Sequence, residues 1–199
     1  MYDVNTIEEL TDKIYNNDYF IIAPKVVLPD GNIQESNKIE RPSYIHYIKH
    51  ETYLNRFFKD KNVEKEHERE VYWVAGCCFA VDLEKFKKIN FFDENTLLYY
   101  EEYIISEKAV KNNFKILFVP SIKVIHYHGA SMGDVNVNIF LEHFKSEMYF
   151  WIKYRKINKL GIFMLYNIRK LEIKISLIKR SRANEYKTYR NKSKLILKE

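Results

Sequence analysis

The chain has 199 residues, of which 46% are hydrophobic and 16% aromatic, enough for a domain with a buried core and too ordered in composition for a disordered chain. Its formal net charge is +6. The excess gathers between Lys145 and Lys198, where a basic face suits nucleic acid, an anionic membrane or a phosphorylated substrate, or is the solvated side of helices.

The first ten residues, MYDVNTIEEL, are acidic and lack the apolar core of a secretory signal. Thr6 to Asn16 has helical spacing, with Ile7, Leu10, Ile14 and Tyr15 on one face and Asn5 or Thr6 as cap. YFIIAPKVVL reads as a buried strand running into Pro24, with a second strand after it. Pro29-Asp30-Gly31 is a turn, because proline fixes one dihedral and glycine permits a positive one. Asn37 to Glu70 is polar and aperiodic, with a helical piece expected from His50 to Phe58. His46, His50 and His67 fall in it at no metal-ligand spacing and read as surface residues.

VYWVAGCCFAV is apolar on both faces and predicts one strand or two. Its adjacent Cys77 and Cys78 fit neither disulfide geometry nor a zinc framework, and read as small buried residues of a reducing compartment. Asp82 caps a short helix over DLEKFKKI, and FFDEN is a turn. Glu101 to Asn112 is a helix, FKILFVP a strand closed by Pro120, and IKVIHYH an alternating strand with Ile122, Val124, His126 and His128 on one face. GASMG is a loop. From Asn138 to about Lys179 the pattern is helical, aromatic on one side and basic on the other, and Arg180 to Glu199 reads as a frayed helix. The longest apolar run, Leu160 to Tyr166, is too short to span a bilayer. The order of elements is α/β. Five glycines in the whole chain leave no glycine-rich nucleotide loop.

Two features carry chemistry. Glu101 and Glu102 open a predicted helix. Acids there are favoured by the helix dipole by about 0.3–1 kcal/mol each, which suffices to account for them. Between tyrosines and isoleucines they are also partly desolvated, which raises a carboxyl toward the range of a general base. His126 and His128 share a strand face, and either cap the strand end or reach one ion.

In this order the pieces resemble the acceptor-side half of the family 2 glycosyltransferases, which have the GT-A fold and transfer a sugar from a nucleotide-sugar donor, usually with inversion. The resemblance covers roughly Trp73 to Ser131. It rests on Gly76, Phe92-Asp93-Glu94, Tyr100-Glu101-Glu102, Phe114-Lys115-Ile116, Pro120, and Val124 through His126 to Gly129 and Ser131. It implies a partial GT-A fold with a mixed sheet over 1–137, followed by basic, amphipathic helices over 138–199. It places Glu102 as catalytic base, with Glu101 orienting it. Trp73, Gly76, Asp93, Tyr100 and Lys108 would bind the acceptor, and His126 would help hold a divalent ion, manganese or magnesium, on the donor diphosphate.

The chain departs from the family pattern in three places. The acid pair is Glu-Glu where many members have Glu-Asp, Ile104 stands where an Asp is common, and Asn113 replaces a turn glycine, Asn being the next residue suited to a left-handed cap. It also holds no Asp-x-Asp, so the expectation is an acceptor-side portion: a truncated gene, half of a split enzyme or a fragment of a longer chain, with the metal bound only where another chain completes the donor site. The partners expected are a nucleotide sugar, a saccharide or lipid-linked saccharide acceptor and a membrane surface, with no nucleic acid. The expected location is the cytoplasm, peripheral at the inner face of the plasma membrane. The alternative is a non-catalytic remnant that binds a saccharide or a donor-binding chain.

Overall fold

The computed structural model describes residues 4–58, 67–127, 137–180 and 182–197. In chain order the regular elements are α1 (Val4–Asn16), β1 (Ile21–Val27), β2 (Asn37–Lys38), α2 (Tyr44–His50), β3 (Arg69–Val71), β4 (Trp73–Val74), β5 (Ala80–Val81), α3 (Leu83–Lys88), α4 (Glu101–Lys111), β6 (Ile116–Ile125), α5 (Val137–Tyr149), α6 (Lys159–Lys179) and α7 (Glu185–Ile196). They form two compact units. One comprises Met1–Arg41, Val63–Asp93 and Glu101–Gly133, and the other Pro42–Asn62, Glu94–Tyr100 and Asp134–Glu199.

The first unit is built on a mixed four-stranded sheet of order β3-β6-β1-β5. β1 and β6 pair in parallel, while β5 and β3 add antiparallel at the two sides. Strand alternation divides the core. Ile21, Ala23, Ile116 and Phe118 face a cluster that takes Ile105 and Ala109 from α4 and Ile89 beyond α3. Ile22, Leu117 and Val119 face the other side, where Leu10 of α1 joins them. The β1–β6 register jumps from Pro24↔Val119 to Lys25↔Lys123. Prolines 24 and 120 lie at this irregularity, where neither has an N–H to lose from a ladder. β6 therefore runs on to Ile125 instead of ending at Pro120, and beyond the jump it alternates as expected, Ile122 and Val124 inward, Lys123 and Ile125 outward.

Local chemistry sets the helix ends. Asp82 accepts from Lys85 N–H at 2.9 Å and caps α3, as expected. Asn113 has φ 55°, and the bonds Phe114 N–H to Ala109 O and Asn113 N–H to Val110 O close α4 in a Schellman turn. Asn113 thus does the work of the glycine it replaces. Two expectations for α1 fail. The helix already includes Val4 and Asn5, so neither Asn5 nor Thr6 caps it, and its inward residues are Thr6, Leu10 and Ile14, with Ile7 and Tyr15 in solvent.

The second unit is helical. Its first helix is α2, capped by Ser43, followed by a 3-10 turn at Tyr53–Arg56 that Thr52 caps, rather than one helix from His50 to Phe58. α5 continues into a π turn, Phe150–Tyr154, and Asn158 caps α6 by accepting from Gly161 N–H at 2.9 Å. α7 is no frayed end, since Tyr189 and Ser193 in it have no exposure. Phe144 packs against Tyr166 and Tyr189 with ring centroids 5.9 and 6.2 Å apart.

At the centre of this unit Glu147 is fully buried. Arg169 donates to it from Nε at 2.9 and 3.0 Å and from Nη2 at 2.8 Å, and also reaches Glu172, the Tyr47 hydroxyl and Glu51 O. Burial alone would raise the Glu147 carboxyl, but the charge and hydrogen bonds of Arg169 hold it below its ordinary value. A depressed carboxyl contributes stability that is present above its ordinary pKa and lost as pH falls through the lowered one. Arg169→Met leaves that carboxylate buried without its counter-charge and is expected to lower stability by about 3–5 kcal/mol, read as a lower urea midpoint. Arg169→Met with Glu147→Leu is expected to recover most of the loss, because both charges then leave together.

Candidate active site

α4 carries the candidate site from its first turn. Tyr99 and Tyr100, immediately before it, have φ 66° and 67°. A left-handed backbone costs a bulky residue roughly 1–2 kcal/mol, so their side chains must hold it. In the second unit the Tyr100 ring is 5% exposed and packs on His143 and Phe150, its hydroxyl pairs with that of Tyr47, and Tyr99 packs on His143. Ser146 Oγ donates to Leu98 O at 2.7 Å in the same segment. Tyr100, expected at the acceptor, is thus a buried member of the Glu147–Arg169 cluster.

Glu101 and Glu102 are both partly buried at the start of α4. Glu102 accepts from the backbone N–H of Gly76 at 3.1 Å. A Cβ on Gly76 would lie 2.9 Å from Glu102 Cδ and 3.0 Å from its Cγ, so only glycine lets the carboxylate close on the chain there. Burial, and then the charge of Glu101, push the Glu102 carboxyl up to about 7. The backbone N–H groups of Glu102 itself and of Gly76 offset this only in part, since neutral N–H donors are modest compensation for a desolvated anion.

Tyr103, the next residue, stacks on Trp73 of β4 at 5.5 Å, and Lys38 Nζ lies 5.5 and 5.7 Å from the two ring centroids. The Trp73 indole N–H is buried and has no hydrogen-bond partner among the described residues. Further along α4, buried Glu107 accepts from Arg41 Nε at 2.9 Å and from the Tyr72 hydroxyl at 2.7 Å. This fixes the rotation of the helix about its axis and hence where Glu102 points. Ile104 is 1% exposed, a position where an Asp would be a buried charge. Lys108 Nζ donates to Phe91 O at 2.7 Å, tying α4 to the turn that holds Asp93, itself half-buried.

His126 stands just past β6, its N–H bonded to Val27 O at 2.9 Å and its Nδ1 2.8 Å from Gln34 Oε1. A proton on Nδ1 donated to Gln34 puts the lone pair on Nε2, the tautomer of a metal-binding imidazole. Among the described residues no three His, Cys, Asp or Glu side chains gather to hold an ion. Among the described residues His126 is a single imidazole whose Nε2 lone pair can meet an ion, a donor that fits a shared ion and not a closed protein site. His128, Gly129 and Ser131 lie outside the described residues.

Trp73, Gly76, Asp93, Glu101, Glu102, Lys108 and His126 all belong to the first unit. Glu102 meets Gly76 and Lys108 meets the Phe91 turn, while His126 contacts Val27 and Gln34. Sequence reasoning missed Tyr103, Lys38, Arg41, Tyr72 and Glu107. One signal was there: Ile104 to Glu107 are buried in succession, and an acid at the end of such a run needs an internal partner.

No family model matches the chain. It is 27% identical over 138 residues to the N-acetylglucosaminyl-diphospho-decaprenol L-rhamnosyltransferase of Mycobacterium tuberculosis, alike in strains CDC 1551 and H37Rv. The match takes in 65% of this chain and 44% of that protein, so the chain spans less than half the length of the curated relatives it matches. Among solved structures it is similar to a crystal structure of GalNAc-T7 with UDP, GalNAc and Mn2+, at 19% identity and TM-score 0.48, covering 76% of this chain and 30% of that one.

Two outcomes test the site. Gly76→Ala is expected to displace the Glu102 carboxylate and lower stability by about 1–3 kcal/mol in urea unfolding. The second concerns pH. Glu102 titrates near 7 in the fold against an ordinary 4.5, so its contribution is fully kept below pH 4.5 and is lost as pH rises through 7. Glu102→Gln keeps the shape and the Gly76 bond without the charge. Relative to wild type it is expected to gain on the order of 2–3 kcal/mol between pH 4.5 and 8, measured by denaturant unfolding at both.

Proposed function

We propose that this chain, a relative of glycosyltransferases named for a lipid-linked saccharide, forms the acceptor-side portion of an inverting sugar transferase of the GT-A type. The observation that carries the reading is the Glu102 carboxyl: placed at a helix start, raised to about 7, and seated where only glycine leaves room. Glu102 takes the proton of an acceptor hydroxyl as that oxygen bonds to the anomeric carbon of the donor sugar, while the bond from that carbon to the nucleoside diphosphate breaks and the electron pair leaves with the phosphate. Glu101 keeps Glu102 basic through its charge and orients the hydroxyl. The Trp73–Tyr103 stack offers a face for the acceptor sugar ring, and Gly76 and Asp93 help shape the acceptor pocket. Lys108 acts by holding the Asp93 turn through Phe91.

His126 is the residue of this chain that would ligate a manganese or magnesium ion, bound together with the donor diphosphate. Such an ion neutralises the charge that develops on the leaving group. The division we propose is a transferase half over 1–137 and a helical part over 138–199. The donor site with its Asp-x-Asp is formed by residues other than these 199, and the reaction belongs to cell-surface polysaccharide synthesis at the cytoplasmic face of a membrane.

The test is transfer of sugar from nucleotide sugars, with manganese, to undecaprenyl- or decaprenyl-diphosphate saccharides, using the chain alone and together with a donor-binding portion. Activity is expected to rise with pH through an apparent pKa near 7, the Glu102 value. Glu102→Gln is expected to lose about 100- to 10,000-fold in kcat with the fold intact. Full activity in Glu102→Gln, or a rate independent of pH from 5 to 8, would remove Glu102 as the base. Saccharide binding without transfer, in the presence of a donor-binding portion, would leave a non-catalytic binding module.

A further inference from the structure

The outward face of α6 carries a feature that sugar transfer does not use. α6 buries Gly161, Leu165, Tyr166, Glu172 and Leu177, and Arg169 points the same way into the Glu147 cluster. A helix set like this in water presents polar side chains on the opposite face. α6 presents Leu160, Phe163, Met164, Leu171 and Ile178, which are 66, 64, 47, 59 and 54% exposed. At about 100° per residue these five fall within about 100° of arc, in a line from the first turn to the last of a helix about 30 Å long. Scattered exposed apolar residues need no explanation, but a continuous row does.

The charges beside the row select what covers it. Lys159 and Lys170 follow one edge and Lys179 the other, while Lys174 and the half-buried Asn167 stand within the arc. The only acid of α6, Glu172, is buried and held by Arg169. The outward arc is therefore mainly apolar, and its charges are all cationic. A second copy docked on this row would bring lysines against lysines, whereas an anionic bilayer neutralises them. No helix among the described residues is long and apolar enough to cross a membrane, so the row fits a helix lying on the surface.

We infer that the Leu160–Ile178 face of α6 is a docking surface for an anionic lipid bilayer, its apolar row entering the headgroup region and its lysines meeting lipid phosphates. The inference stands on exposure and charge alone and is independent of the transfer reaction. In flotation assays the chain is expected to bind vesicles containing phosphatidylglycerol, to bind pure phosphatidylcholine vesicles much less, and to be released by high salt. Phe163→Asp with Leu171→Asp is expected to weaken binding at least about tenfold with an unchanged unfolding midpoint, since both side chains point to solvent. Independently, Phe163→Trp is expected to gain blue-shifted emission, relative to the parent chain, on anionic vesicles. Failure of the folded chain to float with either vesicle would overturn the inference. So would undiminished binding by the double variant, or a concentration-dependent dimer that the double variant abolishes while vesicles go unbound.

Discussion

In the second unit, everything turns on one guanidinium meeting one carboxylate. Arg169 of α6 grips Glu147 of α5 through Nε and Nη2, and the same head reaches the Tyr47 hydroxyl and the carbonyl that ends α2. Three helices are thereby fixed from one planar fork whose three nitrogens each find an acceptor. Through Tyr47 the cluster extends to Tyr100, and Tyr100 is covalently next to the first residue of α4. The charged centre of one unit and the helix that carries the candidate base in the other are consecutive in the chain.

The buried acids are answered differently, and the difference separates scaffold from chemistry. Glu147 and Glu107 each receive an arginine and a tyrosine hydroxyl, a full complement for a carboxylate out of water. Glu102 receives only backbone N–H groups, its own and that of Gly76, and has another acid beside it. A group so placed sits near the pH at which it gives up its proton, which is wasteful for a scaffold and suited to a base. The Gly76 contact explains why the shortest residue stands at that point of the β4 loop.

How much of this was legible in the sequence depends on the range of the interaction. Local signals held: the Asp82 cap, the left-handed Asn113, the Gly31 turn, the helix from Glu101, and the alternation of Ile122 and Val124. The acid pair and its helix start could be read because the spacing is local. Boundaries failed where a distant partner decided them. Pro120 looked like a strand end, but Pro24 on the neighbouring strand shares the irregularity, and the strand passes through it. Arg169 and Glu147 sat in segments read as basic or aromatic faces, and a charge 122 residues from its phenol partner leaves no periodic trace. α7 looked frayed because its composition is polar, yet Tyr189 anchors it in a core its own sequence does not announce.

The tyrosine pair before α4 has a consequence for how the molecule is made. Left-handed backbone at Tyr99 and Tyr100 is unfavourable in isolation, and the groups that compensate it, Tyr47, His143 and Phe150, lie tens of residues away on either side. On an extending or refolding chain this dipeptide has no reason to adopt its final shape until α2 and α5 have met. The segment just ahead of the candidate base is therefore among the last to be ordered, and a chain interrupted before residue 143 would carry both glutamates without the geometry that introduces them.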